Sequence, residues 1–160
     1  MVKNYKISTP FFEFGPKAYL YGDKLLELMK KIDTYAEKYD MDVIADVQTT
    51  DLRLIAENTS DRIHVYSQHM DSIPVGRGMG TILPEAVKAT GAVGVMLNHA
   101  ECKLTLDEIK KAIERAGTCN NSLCRYGRRN QGGCRNESQY SSSRAFGAYR
   151  HGHFSWPRVC

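Results

Sequence analysis

A histidine and two other polar residues directly follow an apolar segment near the middle of the chain. Residues 92–97 contain no charged side chain, and Asn98, His99 and Glu101 come soon after them. An apolar run without polar alternation is typical of a parallel strand that is covered on both faces. Because α/β folds place their catalytic residues at the carboxyl ends of such strands, His99 is a candidate for proton transfer. The alternative is a histidine that only hydrogen-bonds at the strand boundary.

Lys17 is a second candidate, near the amino terminus of the chain. The aromatic segment at 9–14 predicts a short strand, and the dipeptide Gly15-Pro16 ends it and fixes a loop. Lys17 therefore lies at the carboxyl end of that strand. Taken by itself, the residue is also explained as a solvated loop lysine.

Hydrophobic periodicity predicts the elements that position these residues. Apolar side chains at three- and four-residue spacing predict helices, and short apolar runs bounded by turn residues predict strands. The predicted strands lie at 9–14, 42–47, 62–68 and 92–97, and the predicted helices at 23–39, 51–58, 82–90 and 106–116. Asp23 is expected to cap the first helix and Gly91 to end the third. Thr105 and Glu108 are spaced as a capping box for the fourth.

The four strands end in polar residues that are expected to share one edge of a parallel sheet. Strands that alternate with helices predict such a sheet, with right-handed crossovers. The polar residues at the four ends are Lys17, Gln48, Gln68 with His69, and His99 with Glu101. One active face of this kind is typical of a (β/α) barrel or of a doubly wound sheet. No glycine-rich dinucleotide fingerprint follows the first strand, which argues against a Rossmann domain. Four βα units amount to half of an eightfold barrel.

The composition changes abruptly after residue 116. Residues 117–160 contain seven arginines, no lysine, one acidic residue and four of the five cysteines. Such a break predicts two parts, 1–116 and a tail at 117–160. The tail has no helical or strand periodicity and is rich in Arg, Ser, Gly and Asn, which predicts a disordered segment. The first part, with the single Cys102, is typical of a cytosolic protein. We find no secretory or membrane-spanning segment in the sequence.

Within residues 9–116 the sequence resembles the triosephosphate isomerase family, and is more similar to its short archaeal and bacterial members than to the animal enzyme. Four segments in family order carry the resemblance: FGPKAY at 14–19, YSQHMD at 66–71, the loop and helix at 76–94, and VMLNHAE at 95–101. The last resembles the family's strand that ends in Gly/Asn-His-Ser-Glu, and the first stands where the family has Asn-x-Lys. The resemblance implies an α/β fold with a parallel (β/α) barrel, of which this chain holds about half.

The resemblance also implies roles for individual residues. His99 would polarise the substrate carbonyl and move a proton between the two substrate oxygens. Lys17 would bind the phosphorylated substrate and stabilise the enediolate, and Glu101 would orient Lys17. Gly15 and Asn98 would lie beside the substrate.

The implied reaction is the interconversion of dihydroxyacetone phosphate and glyceraldehyde 3-phosphate through an enediolate, a step of glycolysis and gluconeogenesis. It needs no cofactor and no metal. Family members are cytoplasmic homo-oligomers that act on a small phosphorylated sugar. The family's base glutamate follows strand six and its phosphate-binding loops follow strands seven and eight, and neither has a counterpart in this sequence. We therefore expect the chain as written to be inactive or nearly so.

Three departures from the family pattern bear on the substrate and on assembly. Gly15 replaces an asparagine and Ala100 a serine, which leaves a related sugar phosphate open as the substrate. Met79 stands where many members have a threonine, in a loop that reaches a neighbouring subunit. A non-catalytic half-barrel that docks a sugar phosphate or a partner, with a basic tail for nucleic acid, is the alternative function.

Residues 117–160 admit three interpretations. Their cysteines and histidines are zinc-ligand types, although no CxxC pair occurs: Cys119, Cys124, Cys134, His151, His153 and Cys160. Arginines interleaved with aromatic residues also fit an arm that binds nucleic acid. The third interpretation, which we favour, is a frameshifted translation. If the codons from Cys119 onward are chosen freely, the DNA read one nucleotide later can encode a strand followed by an acidic helix. Further on, it can encode a family-like strand whose glutamate straddles the codons of Arg144 and Ala145.

Overall fold

The computed structural model describes the backbone of residues 7–118 and 124–126 and the side chains of residues 7–117. These residues belong to the first of two compact units, residues 1–127. The second unit, residues 128–160, lies outside the described residues. The predicted disorder of the tail and its zinc and nucleic-acid interpretations therefore also fall outside them, apart from the backbone of the short segment at 124–126.

Strands and helices alternate along the described chain, as the sequence predicts. In chain order they are β1 Phe11–Phe14, α1 Gly22–Lys38, β2 Asp42–Val47, α2 Leu52–Asn58, β3 Ile63–Ser67, α3 Pro84–Ala89, β4 Gly94–Leu97, α4 Leu106–Thr118 and β5 Cys124–Tyr126. The strands form one sheet in the order β1-β2-β3-β4-β5, and every neighbouring pair is parallel. A doubly wound sheet reverses its strand order at a switch point, and these strands do not. The described half therefore follows the order of a (β/α) barrel.

The strand β5 is additional to the four strands that the sequence predicts. It lies in a segment whose composition gives no strand pattern, and it pairs with β4 through Val95 and Cys124. Regular structure thus continues past residue 116, where the sequence predicts a boundary, and the first compact unit extends to Gly127.

The core lies between the sheet and its helices. Val43, Ala45 and Val47 of β2 are buried with the helix residues Leu25 and Leu52. The alternate residues of β2 point to the opposite face of the sheet, where a smaller cluster holds Ile44, Tyr66 and Val93 with Ile7. Burial on both faces explains why these strands are apolar runs without alternation.

The helix ends confirm two of the three predicted caps. Thr105 and Glu108 form the capping box, since the Thr105 amide donates to Glu108 Oε2 at 2.7 Å and the Glu108 amide donates back to Thr105 Oγ1 at 3.3 Å. Gly91 follows α3 with a φ of +94°, and its amide donates to the Lys88 carbonyl at 3.1 Å.

The predicted Asp23 cap is wrong. The N-cap residue of α1 is Tyr21, which makes no side-chain capping bond. The first amide of the helix, that of Gly22, instead donates to Asp51 Oδ2 at 2.9 Å. An acceptor 29 residues away in the chain, at the start of α2, thus replaces the local one that the sequence suggests.

The described residues contain no helix that is long and apolar enough to cross a membrane. Nor does the described part of the chain hold a group of three or more histidine, cysteine or acidic side chains that could bind a metal ion.

Candidate active site

The polar residues that follow the first three strands meet at one edge of the sheet. The amide nitrogen Nε2 of Gln48, after β2, donates to the Lys17 carbonyl at 3.3 Å. Nε2 of Gln68, after β3, donates to the same carbonyl at 3.0 Å and to the Asp46 carbonyl at 2.9 Å. The loop after β1 is therefore tied to the ends of both neighbouring strands.

Lys17 itself has a backbone conformation that side chains rarely adopt. Its φ is +52°, in the left-handed region, which costs a non-glycine residue about 1–2 kcal/mol. The two glutamine amides on its carbonyl hold the residue there. A strained residue fixed in this way by distant side chains is common at functional sites.

The Lys17 side chain joins the first strand to the fourth. Its Nζ donates to Glu101 Oε1 at 2.5 Å. This hydrogen bond, together with the charge of Lys17, holds the pKa of the Glu101 carboxyl below its usual value. The two side chains are 46% and 62% exposed, so the pair adds little to the stability of the fold. Its effect is to orient the ammonium group at the open edge of the sheet.

His99 lies on the other side of the Glu101 carboxylate. Its Nδ1 is 4.0 Å from Glu101 Oε2 and accepts the backbone N–H of Glu101 at 3.1 Å. Because Nδ1 is the acceptor, the proton of the neutral imidazole resides on Nε2. In this tautomer Nε2 is the ring nitrogen that can donate a hydrogen bond. The side chain is 41% exposed, which leaves room for a ligand.

The structure gives the two remaining predicted site residues different surroundings. Oδ1 of Asn98 accepts the amide of Leu104 at 3.0 Å, and the residue has a φ of +56°. Asn98 thus closes the loop between β4 and α4, and a contact of its side chain with substrate stays a prediction. Gly15 is exposed, and a Cβ added there would meet nothing within 4 Å. A Cβ at this position therefore meets no obstacle.

The sequence did not predict the roles of Gln48 and Gln68. Both were recognised only as polar residues at strand ends. Their amides act on a main-chain carbonyl 31 and 51 residues away, a contact that leaves no pattern in the sequence.

Comparison with known proteins gives the family of this chain. The family model described as triosephosphate isomerase matches residues 15–121, about two thirds of the sequence. The chain belongs to the triosephosphate isomerase family. The resemblance carried by the four sequence segments is thereby confirmed.

Relatives in this family include several triosephosphate isomerases. That of Sulfolobus acidocaldarius is 39% identical over 116 residues, which cover 71% of this chain and 50% of the relative. That of Sulfurisphaera tokodaii is 39% identical over 111 residues, covering 68% and 48%. The enzyme of Methanobacterium bryantii is 38% identical over 110 residues, covering 68% and 48%. The chain spans about half the length of the curated triosephosphate isomerases it matches.

A solved structure supports the fold. Triosephosphate isomerase from Bartonella henselae superimposes with a TM-score of 0.57 at 16% sequence identity, covering 69% of this chain and 48% of that one. The predicted half-barrel of parallel strands and helices is confirmed.

Proposed function

We propose that the protein to which this sequence belongs is a triosephosphate isomerase, which interconverts dihydroxyacetone phosphate and glyceraldehyde 3-phosphate. One observation supports this function above all: the Glu101 carboxylate lies between the Lys17 ammonium group and the His99 imidazole at the carboxyl edge of the sheet. Membership of the triosephosphate isomerase family supports it independently.

His99 would act on the two oxygens of the substrate. Enolisation places negative charge on the carbonyl oxygen, and a donor aimed at that oxygen lowers the barrier. The Glu101 amide on Nδ1 leaves Nε2 to donate that proton and to return it to the neighbouring oxygen. An intramolecular shift of hydrogen between adjacent carbons needs such a proton relay and no redox cofactor.

Lys17 would supply the positive charge for the phosphorylated substrate and its enediolate. A fixed ammonium group next to developing negative charge stabilises it without reorganisation at the moment of reaction. Glu101 would be a positioning residue, because it contacts both the lysine and the histidine. Asn98 and Gly15 complete the proposed substrate surroundings.

The proton on carbon must be removed by a base, which in this family is a glutamate after strand six. Residues 7–118 and 124–126 contain only the first five strands, so neither this base nor the phosphate-binding loops of strands seven and eight lie among the described residues. A carboxylate base contributes about 10²- to 10⁴-fold to the rate. The 160-residue chain is therefore expected to be inactive or nearly so by itself, in line with our preferred interpretation of residues 117–160 as a frameshift product.

An isomerase assay with a chimera tests the function. Residues 1–116 are joined to the carboxyl-terminal half of the Sulfolobus acidocaldarius enzyme, which is 39% identical over the shared half. We expect turnover of glyceraldehyde 3-phosphate by the folded chimera and none by the 160-residue chain. A folded chimera without turnover would refute the proposed function, and normal turnover by the 160-residue chain would refute the need for the second half.

The same assay distinguishes a related sugar phosphate as the substrate. Gly15 and Ala100 remove two polar side chains that the family presents, and nothing lies within 4 Å of the Cβ position at Gly15. If the chimera prefers a longer ketose or aldose phosphate, this space is the expected reason.

A cytoplasmic location and a homo-oligomeric assembly belong to the same proposed function. The loop at 72–80 supports the assembly, because it exposes the apolar side chains of Val75 and Met79.

A further inference from the structure

Beside the proposed active site, three ionisable side chains that the isomerase function does not use lie in a row. They are Asp71 and His69, in the segment after β3, and Cys102, in the loop between β4 and α4. Asp71 Oδ1 is 3.5 Å from His69 Nε2, and His69 Nδ1 is 3.9 Å from Cys102 Sγ. A carboxylate, an imidazole and a thiol in this order can pass the thiol proton to the imidazole.

Asp71 is held firmly at one end of the row. Its amide donates to the Ile82 carbonyl at 2.9 Å, and its Oδ2 accepts the Ile82 amide at 2.7 Å. The second oxygen, Oδ1, thereby faces the imidazole. The backbone of Ile82 therefore sets the orientation of the carboxylate, independently of the histidine.

The Asp71 carboxylate favours one tautomer of His69. A carboxylate only accepts hydrogen bonds, so the ring nitrogen beside it, Nε2, carries the proton. The lone pair of the neutral ring is then on Nδ1, the nitrogen that faces the thiol. The Ser67 hydroxyl fixes the position of the residue by donating to the His69 carbonyl at 2.7 Å.

The thiol is accessible while its base is partly sheltered. Cys102 is exposed, whereas the His69 and Asp71 side chains are only 22% and 34% exposed. Reactive cysteines are partly exposed and lie beside a group that takes the proton, because the thiolate is the nucleophile.

We propose that Cys102 is a site of thiol–disulfide exchange with low-molecular-weight disulfides, with His69 as its base. The Cys102 thiol gives its proton to His69 Nδ1, and Sγ attacks one sulfur atom of the disulfide. A new S–S bond forms, the old S–S bond breaks, and its electron pair leaves with the second sulfur atom. That thiolate takes the proton from His69 and departs as a thiol, so the cysteine is oxidised and the small disulfide is reduced.

The rate of exchange at this one cysteine can be measured in the full chain. Dipyridyl disulfide is added at pH 7, remaining thiols are blocked with N-ethylmaleimide at set times, and the tryptic peptide 89–103 is quantified by mass spectrometry. This peptide contains Cys102 and no other cysteine, so its signal is separate from those of the four cysteines of residues 117–160. The same reaction is followed in urea, where the three side chains are no longer held together.

We expect Cys102 to react faster in the folded chain than in urea, and the His69→Gln variant to lose this advantage. A well-placed base contributes about 10²- to 10⁴-fold, and the long Sγ–Nδ1 distance places the expected loss below that range, at about tenfold. Asp71→Asn should slow exchange by about threefold through the tautomer of His69. The matched control is Asp107→Asn, which removes an exposed carboxylate at the start of α4 and should leave the rate unchanged.

Two results would overturn this assignment. One is a native Cys102 that reacts no faster than the same residue in urea, a comparison that needs no variant. The other is a folded His69→Gln or Asp71→Asn variant that reacts at the parent rate. Neither result depends on isomerase activity, so the exchange site and the proposed function stand or fall separately.

Discussion

Glu101 connects the parts of the candidate active site at the scale of single residues. One oxygen accepts the Lys17 ammonium group at 2.5 Å, and the other lies 4.0 Å from the His99 imidazole. Under the proposed function this residue acts without touching the substrate, by holding the lysine in position. Its titration is therefore a sensitive measure of whether the site is assembled.

Replacement of Lys17 by methionine should raise the pKa of Glu101 toward the usual glutamate value. The lysine's hydrogen bond is the main cause of the lowered pKa, and its charge adds to it. A lowered pKa means that folding favours the ionised form of the Glu101 carboxyl. The Lys17–Glu101 pair is therefore fully formed above the usual glutamate pKa, and it is lost as the pH falls through the lowered pKa of Glu101. Carbon-detected NMR titration of the Glu101 carboxyl measures this directly.

The control for that titration is Lys103→Met. Lys103 lies in the same loop as Glu101, and among the described contacts it makes no hydrogen bond to Glu101. It should leave the Glu101 titration almost unchanged. If Lys17→Met also leaves it unchanged, Glu101 and Lys17 are not paired in solution.

At the scale of elements, β4 packs against β3 through a glycine. A Cβ added at Gly94 would lie 2.3 Å from two atoms of the Tyr66 ring, too close for any real contact. The absence of a side chain at Gly94 lets the ring lie on the inner face of the sheet, where Tyr66 is only 6% exposed. The approach of the two strands therefore depends on this residue pair.

Gly94→Ala should lower the free energy of unfolding by about 1–3 kcal/mol, because the tyrosine ring must be displaced from a packed cluster. The matched control is Gly117→Ala in α4, where an added Cβ meets nothing within 4 Å. Gly117 lies in the last turn of α4, so the full gain of about 0.5–1 kcal/mol for alanine in the middle of a helix is not expected, and this variant should be as stable as the parent or slightly more stable. Urea denaturation of both variants measures the two changes.

The double variant Gly94→Ala/Tyr66→Leu checks the cause of the destabilisation. A smaller side chain at 66 should relieve the clash and make the cost of Gly94→Ala smaller in that background. If Gly94→Ala costs as much there as in the parent, the contact with Tyr66 is not the reason.

The elements could be predicted from the sequence because their signals are local. Periodic apolar residues define α1, and the Thr105–Glu108 spacing defines the start of α4. The contacts that assemble the site are long-range: Asp51 on the first amide of α1 and Gln68 on the Lys17 carbonyl join residues 29 and 51 positions apart. The residue types at the ends of the predicted strands indicate which side chains converge. The hydrogen bonds between those side chains depend on the register of the sheet, which the sequence does not show.

At the scale of the whole molecule, the described sheet has two edges. Within the described residues, β1 pairs only with β2 and β5 only with β4. The strand β5, which the sequence does not predict, forms the edge beside β4. An unpaired parallel edge presents backbone N–H and C=O groups that can pair with another chain.

We therefore expect the 160-residue chain to self-associate, as paired half-barrels or as larger aggregates. Sedimentation velocity over a range of concentrations measures the self-association. Met79→Ser is the comparison variant, because it reduces the exposed apolar surface of the loop at 72–80 and leaves the edge strands β1 and β5 unchanged. A monodisperse monomer that melts cooperatively at all concentrations would contradict the expectation.

The most direct test of the central claim is the effect of His99→Gln on isomerase activity in the chimera described above. If His99 is the proton donor of a triosephosphate isomerase, kcat/KM should fall by about 10²- to 10⁴-fold, while the neighbouring control Cys102→Ser keeps its activity. A chimera that folds, turns over substrate and is unaffected by His99→Gln would show that the imidazole is not part of the reaction.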